Sequence, residues 1–140
     1  IEEPVRADDY AGAATIARAL KTPVQIGENF WSTRDVQKAL AADACDLMMP
    51  DVMKIGGATA WLRSAALAEA AGIPISSHLF PEISAHLLCV APTAHYLEYV
   101  DWGSPVLQEP TVVEGGTLLP ADRPGHGMAW NEDAVAKLLL

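Results

Sequence analysis

A short apolar run that ends on a polar residue and then turns into a helix recurs along this chain. No other feature restricts its fold as strongly. The clearest copy is DLMMPDVMKIGG, residues 46–57. Its apolar run is too short and too quickly broken to be a helix, so it reads as a buried strand. Pro50-Asp51 stops it, and Gly56-Gly57 marks a turn before a strongly helical segment. An Asp at the point where a buried strand becomes a loop is costly to hide unless something pairs with it. One strand–helix unit later, in IPISSHLF, His78 stands at the corresponding strand end. An Asp that orients a His is the core of a general-base device.

The rest of the chain repeats the pattern. A stub of strand at Ile1 to Pro4 precedes a helix over 8–20, with Asp8 and Asp9 placed to cap it and complement its amino end. A strand over 23–26 closes on Gly27-Glu28-Asn29, and Ser32 with Asp35 caps a helix to about Ala42. After the central strand comes an Ala- and Leu-rich helix over 59–71, stopped by Gly72. A strand over 73–76 leads to His78, Pro81 starts a helix through about Val90, and a strand is expected over 94–100. Such alternation with short connections predicts an α/β fold, a parallel sheet covered by helices. From Asp101 the texture changes to Gly, Pro and short β-like pieces (VLQEP, TLLP), with a last helix expected over 132–140. The division is therefore 1–104, a partial (β/α) barrel, and 105–140, a carboxyl-terminal segment that packs back on it.

At 140 residues, 51% hydrophobic and 19% charged, the chain suits one globular domain with a real core. It lacks an apolar run of membrane-spanning length and a basic-then-apolar start. The two cysteines, Cys45 and Cys89, have no metal-type spacing and read as reduced core residues of a cytoplasmic protein. A net charge of −9 argues against nucleic acid and anionic membrane as partners. An acidic protein that binds an anionic substrate needs a strong local positive charge, such as a metal. The start at Ile1-Glu2-Glu3-Pro4, without Met, is the expected look of a piece of a longer protein.

Each strand ends at or near one polar residue: Glu2, Glu28, Asp51, His78 and Glu98, spaced 20–27 residues apart. In a (β/α) barrel those ends share one face, and that face carries the chemistry. Each acid alone reads equally well as a helix cap; five in register, one of them His, favour a site. Glu2 and Glu28, on adjacent strands, suit a hard cation such as Mg²⁺, which takes oxygen ligands and keeps exchangeable waters. Two are few, so a third ligand is expected from outside these residues. Glu3 reads as an ordinary solvated or helix-pairing acid. Lys54 either meets the carboxylates of the site or a surface acid. His86, His95 and His126 read as structural, and the zinc-hydrolase spacing His-Glu-x-x-His is absent.

The strings IEEP, GEN, PDVMKIGG, SSHLFPEISAHL, PTAHYLE and EPTVVEGG, in this order and spacing, closely resemble the mandelate racemase/muconate lactonizing enzyme family of the enolase superfamily. The resemblance runs the length of the chain. It implies the carboxyl-terminal part of a modified TIM-type (β/α) barrel, with the family's cap domain not present in these residues. It further implies Mg²⁺ as cofactor, Glu2 and Glu28 as two of three metal ligands, and His78–Asp51 as the base dyad on one substrate face. Glu98 matches the acid that hydrogen-bonds the developing enediolate, while Leu79, Val100 and Lys54 border the substrate. The third carboxylate ligand and the Lys-x-Lys base of the opposite face have no counterpart here. The partner implied is a small-molecule carboxylate, and the full-length protein is implied to be a homo-oligomer, an octamer being common in the family.

The activity so implied is racemisation of a 2-hydroxy acid such as mandelate. Dehydration of an acid sugar on the same scaffold is the alternative, and the apolar Leu79 and Val100 lean toward an aromatic substrate. A non-catalytic half-barrel with open sheet edges is the expectation if these residues are the whole polypeptide. An open doubly wound sheet that binds phosphate needs a Gly-rich first turn, which is lacking.

Overall fold

The computed structural model describes residues 1–139, and its helices start where the capping chemistry says they should. Helix α1 (Tyr10–Ala19) begins after Asp9, whose Oδ1 accepts the Gly12 N–H at 2.8 Å. Helix α2 (Thr33–Ala41) begins after Ser32, and the Asp35 carboxylate reaches back to accept the Ser32 N–H at 3.1 Å. Helix α3 (Gly57–Ala71) is closed by Gly72 in the left-handed conformation, φ 69°. Helix α4 (Pro81–Leu88) carries Pro81 in its first turn, where a missing N–H costs nothing.

Between the helices run five parallel segments in sequence order. Glu2 bridges Gln25; strand β1 (Gln25–Ile26) pairs with β2 (Leu47–Met48); Met48 bridges Ile75, and Ile75 bridges Ala94. Every crossover carries a helix, the arrangement of consecutive βα units along one side of a barrel. The core lies between this sheet and its helices and includes Val24, Ile26, Phe30, Val36, Met48, Ile55, Trp61 and Ile75, all at most 6% exposed. Each such side chain contributes about 1.5–3 kcal/mol relative to exposure. Trp61 on α3 ties core to loop, because its Nε1–H donates to the Pro50 carbonyl at 2.9 Å, one residue before Asp51.

Several expectations need correcting. The strand expected over 94–100 pairs regularly only at Ala94. Beyond it the segment is held by single bonds, Ser77 N–H to the Tyr96 carbonyl at 3.0 Å and Glu98 N–H to Ser77 Oγ at 3.0 Å. A serine hydroxyl has replaced the sheet acceptor there, so the regular ladder ends before Glu98. The VLQEP piece is mostly not β: Ser104–Val106 is a 3₁₀ turn, and Leu107 makes one bridge to Trp130. The other β-like piece contributes a hairpin, β3 (Val113–Glu114) with antiparallel β4 (Thr117–Leu118), turned by Gly115-Gly116. Helix α5 (Glu132–Ala136) is shorter than expected, and Leu140 lies outside the described residues. Cys45 is buried but Cys89 is exposed, at the carboxyl end of α4 beyond its packed face. Burial pushes the Cys45 thiol up to about 12, so it is an inert core group. No helix among the described residues is long and apolar enough to cross a membrane.

Candidate active site

Sheet register sets the centre of the polar cluster. Asp51 and His78 form a parallel bridge, so two residues far apart in sequence leave adjacent strands side by side. Asp51 Oδ2 lies 2.6 Å from His78 Nδ1. Its other oxygen, Oδ1, accepts the N–H groups of Met53 at 2.7 Å and Lys54 at 2.9 Å. Asp51 is 1% exposed and His78 9%, so this carboxylate is buried with both oxygens satisfied by donors. That resolves the cost of an Asp at a strand end, and it fixes the ring orientation of His78.

The far side of the imidazole faces acids. His78 Nε2 stands 3.2 Å from Glu28 Oε2 and 4.0 Å from Glu98 Oε2. Glu98 is anchored, since its Oε2 accepts the Leu79 N–H at 2.8 Å. Backbone strain aims that N–H: Leu79 and Phe80 both adopt left-handed backbone, φ 49° and 46°. Such residues cost roughly 1–2 kcal/mol each. The Ser84 hydroxyl, which donates to the Leu79 carbonyl at 2.8 Å, and the Phe80 carbonyl, which caps α4, hold the turn in place.

Glu28 occupies the other wall. Its Oε1 accepts Asn29 Nδ2 at 3.0 Å and lies 3.6 Å from the Lys54 ammonium. Lys54 also donates to Asn29 Oδ1 at 3.3 Å. Lys54 thus meets the carboxylates of the cluster rather than a surface acid. Glu2 faces solvent, yet its carboxyl is held above the usual range by partial desolvation and then by the negative charges of Glu28 and Glu98; His78 acts in the opposite sense. Five of the sequence-predicted residues, Asp51, His78, Glu28, Glu98 and Lys54, are joined by direct contacts, and Glu2 approaches them electrostatically. Leu79 takes part through its backbone N–H. Val100, half-buried, follows Glu98 on the same segment.

Three contributors escape a reading by residue type. Glu3 is not a solvated acid: it accepts hydrogen bonds from Gly27 N, Asn29 N and Asn29 Nδ2 at 3.2, 3.4 and 2.7 Å. Asn29 links Glu3, Glu28 and Lys54. Ser77 holds the backbone of Glu98. The one available signal was position, since each adjoins a strand-end residue. The remaining histidines stay outside the cluster: His86 lies in the last turn of α4, His95 Nδ1 meets Ser76 Oγ at 3.3 Å, and His126 Nδ1 accepts the Met128 N–H at 3.1 Å.

Among the described residues no group of three His, Cys, Asp or Glu side chains is arranged to hold a metal ion. The pair Glu2 and Glu28 still fits a hard divalent cation as a partial ligand set. Both offer only oxygen, and their mutual repulsion is what such a charge relieves.

Comparison with known proteins shows the family of the chain. The family described as Enolase C-terminal domain-like matches residues 1–134. The crystal structure of an enolase from Bradyrhizobium complexed with magnesium and mandelic acid superposes with a TM-score of 0.94 at 50% identity, over 98% of this chain and 38% of that one. The 3,6-anhydro-alpha-L-galactonate cycloisomerase of Streptomyces coelicolor is 35% identical over 100% of this chain and 39% of its own length. The L-talarate/galactarate dehydratase of Salmonella typhimurium is 33% identical over 96% of this chain and 34% of its own. The chain therefore spans under two fifths of the length of these relatives. With nearly all of its residues matched, and with the strand-end acids and histidine converging as described, the chain belongs to the Enolase C-terminal domain-like family of the enolase superfamily.

Proposed function

We propose that the protein containing this chain abstracts the proton α to a carboxylate, with Mg²⁺ as cofactor, and that its reaction is racemisation of a 2-hydroxy acid such as mandelate. The observation that carries the reading is the buried 2.6 Å contact between His78 Nδ1 and Asp51 Oδ2, which leaves Nε2 directed at a cluster of acids. A solved relative at 50% identity was crystallised with magnesium and mandelic acid, which supports both the cofactor and the substrate class.

The division of labour follows from the contacts. Glu2 and Glu28 would hold the cation, whose charge offsets the second negative charge that develops on the substrate carboxylate. Asp51 accepts the Nδ1 hydrogen of His78, which keeps Nε2 free of hydrogen as a base requires, and it stabilises the imidazolium afterwards. Glu98 Oε2 already accepts the Leu79 N–H, so in its acid form the hydrogen sits on Oε1 and is donated to the substrate oxygen. One such donor is typically worth about 2.7–4 kcal/mol of transition-state stabilisation. Lys54 pairs with Glu28 and Asn29 at the substrate's edge, and Leu79 and Val100 form its apolar border. Residues 105–140 pack back on the barrel and on the cap domain of the complete polypeptide, which assembles as a homo-oligomer.

A second reading is favoured by two relatives at 33% and 35% identity, which are named a dehydratase and a cycloisomerase of sugar acids. There the same abstraction is followed by loss of a β-substituent. Incubating the complete polypeptide with each mandelate enantiomer, and separately with galactarate, in deuterated buffer with Mg²⁺ distinguishes them. Racemisation with α-deuterium incorporation supports the first; a dehydrated keto acid supports the second. In His78→Asn, α-proton exchange is expected to vanish for one enantiomer and persist for the other. Equal loss on both would remove His78 as a one-face base.

A further inference from the structure

Glu3 is placed in a way its neighbours do not require. In an extended strand, adjacent side chains point to opposite faces. Glu3 instead takes left-handed backbone, φ 35°, an unfavourable state for a residue with a side chain. The turn brings its carboxylate to the loop that carries Glu28, although an anion there adds repulsion to the neighbouring Glu2.

What that carboxylate does is specific. Oε1 accepts the N–H of Gly27 and of Asn29, the two residues that flank Glu28. Oε2 accepts Asn29 Nδ2 at 2.7 Å, and the same amide nitrogen donates to Glu28 Oε1 at 3.0 Å. The Asn29 orientation is chemically unambiguous, because two carboxylates demand the NH₂ and the Lys54 ammonium demands the carbonyl oxygen. Glu3 thus grips the backbone on both sides of Glu28 and, through one shared amide, its side chain.

We propose that Glu3 is a positioning residue that presets the rotamer of Glu28 for the metal, acting through Asn29. This rests on the reading of Glu28 as a metal ligand and extends it to an acid whose hydrogen bonds go to the residues flanking Glu28. Gln at position 3 keeps the shape but sets an NH₂ or a weaker, uncharged acceptor against Asn29 Nδ2, so the grip is weakened.

The test is Mg²⁺ binding by calorimetry in the complete polypeptide without substrate, on Glu3→Gln, Asn29→Ser and Glu28→Gln. Loss of an outer partner of a metal ligand typically weakens affinity by about 10–100-fold, and that rise in Kd is expected for Glu3→Gln and Asn29→Ser. A merely structural role lowers Tm equally with and without Mg²⁺. Positioning leaves the metal-free Tm near that of the parent and shrinks the increment that Mg²⁺ adds. Unchanged Kd in Glu3→Gln and Asn29→Ser, alongside lost binding in Glu28→Gln, overturns this inference and leaves the metal reading standing. Unchanged binding in Glu28→Gln overturns the metal reading itself and this inference with it. Should Glu3→Gln fail to fold, Asn29→Ser decides alone.

Discussion

His78 and Asp51 are paired twice: their backbones form a parallel bridge, and their side chains meet at 2.6 Å. Strand register therefore places the pair before any side chain chooses a rotamer. The two N–H groups on Asp51 Oδ1 then leave only Oδ2 for the imidazole.

Asp51→Asn is expected to preserve the fold and abolish most turnover. The Asn oxygen would stay with the Met53 and Lys54 N–H groups, so its NH₂ would face Nδ1 and move the ring hydrogen to Nε2, where a base must be bare. A wrong tautomer of this kind costs about 10⁴-fold in kcat in a well-studied triad. Turnover within a factor of ten of the parent would contradict the tautomer argument.

Glu98→Gln keeps the Leu79 N–H bond but replaces an acid with a far weaker one. Rates in both directions are expected to fall together, by about 10²–10³-fold, because the oxygen that receives the hydrogen bond is common to both. Equilibrium exchange measured on each enantiomer checks this, and a one-sided loss would place Glu98 on a single face.

Gly27→Ala is expected to destabilise the protein by about 1–3 kcal/mol, from overpacking and strained backbone together. Gly27 has φ 136°, and an added Cβ would lie 3.1 Å from backbone atoms of Met49 and 3.2 Å from Pro50 N. The neighbour is the end of the Asp51 strand, so the change also displaces the Glu28 loop. Denaturant unfolding decides it; an unchanged midpoint would mean the loop yields freely.

Asp35→Ala tests the pH dependence of stability. Burial opposes ionisation of Asp35, but hydrogen bonds from Lys38, the Trp31 N–H and the Ser32 hydroxyl outweigh it and hold its pKa below the ordinary 3.8. A lowered acid stabilises the fold above that value, and the contribution disappears as pH falls through the folded pKa. The variant should therefore be less stable by about 1 kcal/mol at neutral pH, as for loss of a helix cap. The gap should close in strong acid, and a gap independent of pH would show that charge plays no part.

Much of the architecture was legible from pattern. Periodicity and capping residues act locally, so the helices over 10–19, 33–41, 57–71 and 81–88 arise near where Asp9, Ser32, Gly72 and Pro81 imply. The strand expected over 94–100 was not legible in the same way, because a serine hydroxyl on the neighbouring strand decides where its ladder ends.

Local pattern specifies the alternation of strand and helix, and with it the residues that stand at strand ends: Glu2, Glu28, Asp51, His78 and Glu98. Chain order and residue type suffice for that, since each unit is specified within its own twenty-odd residues. Packing between units sets which of them touch, turns Lys54 to Glu28, and makes Glu3 grip the Glu28 loop. Those contacts join separate units, and their geometry is fixed by register and by positive-φ turns at Glu3, Leu79 and Phe80, which local propensity disfavours.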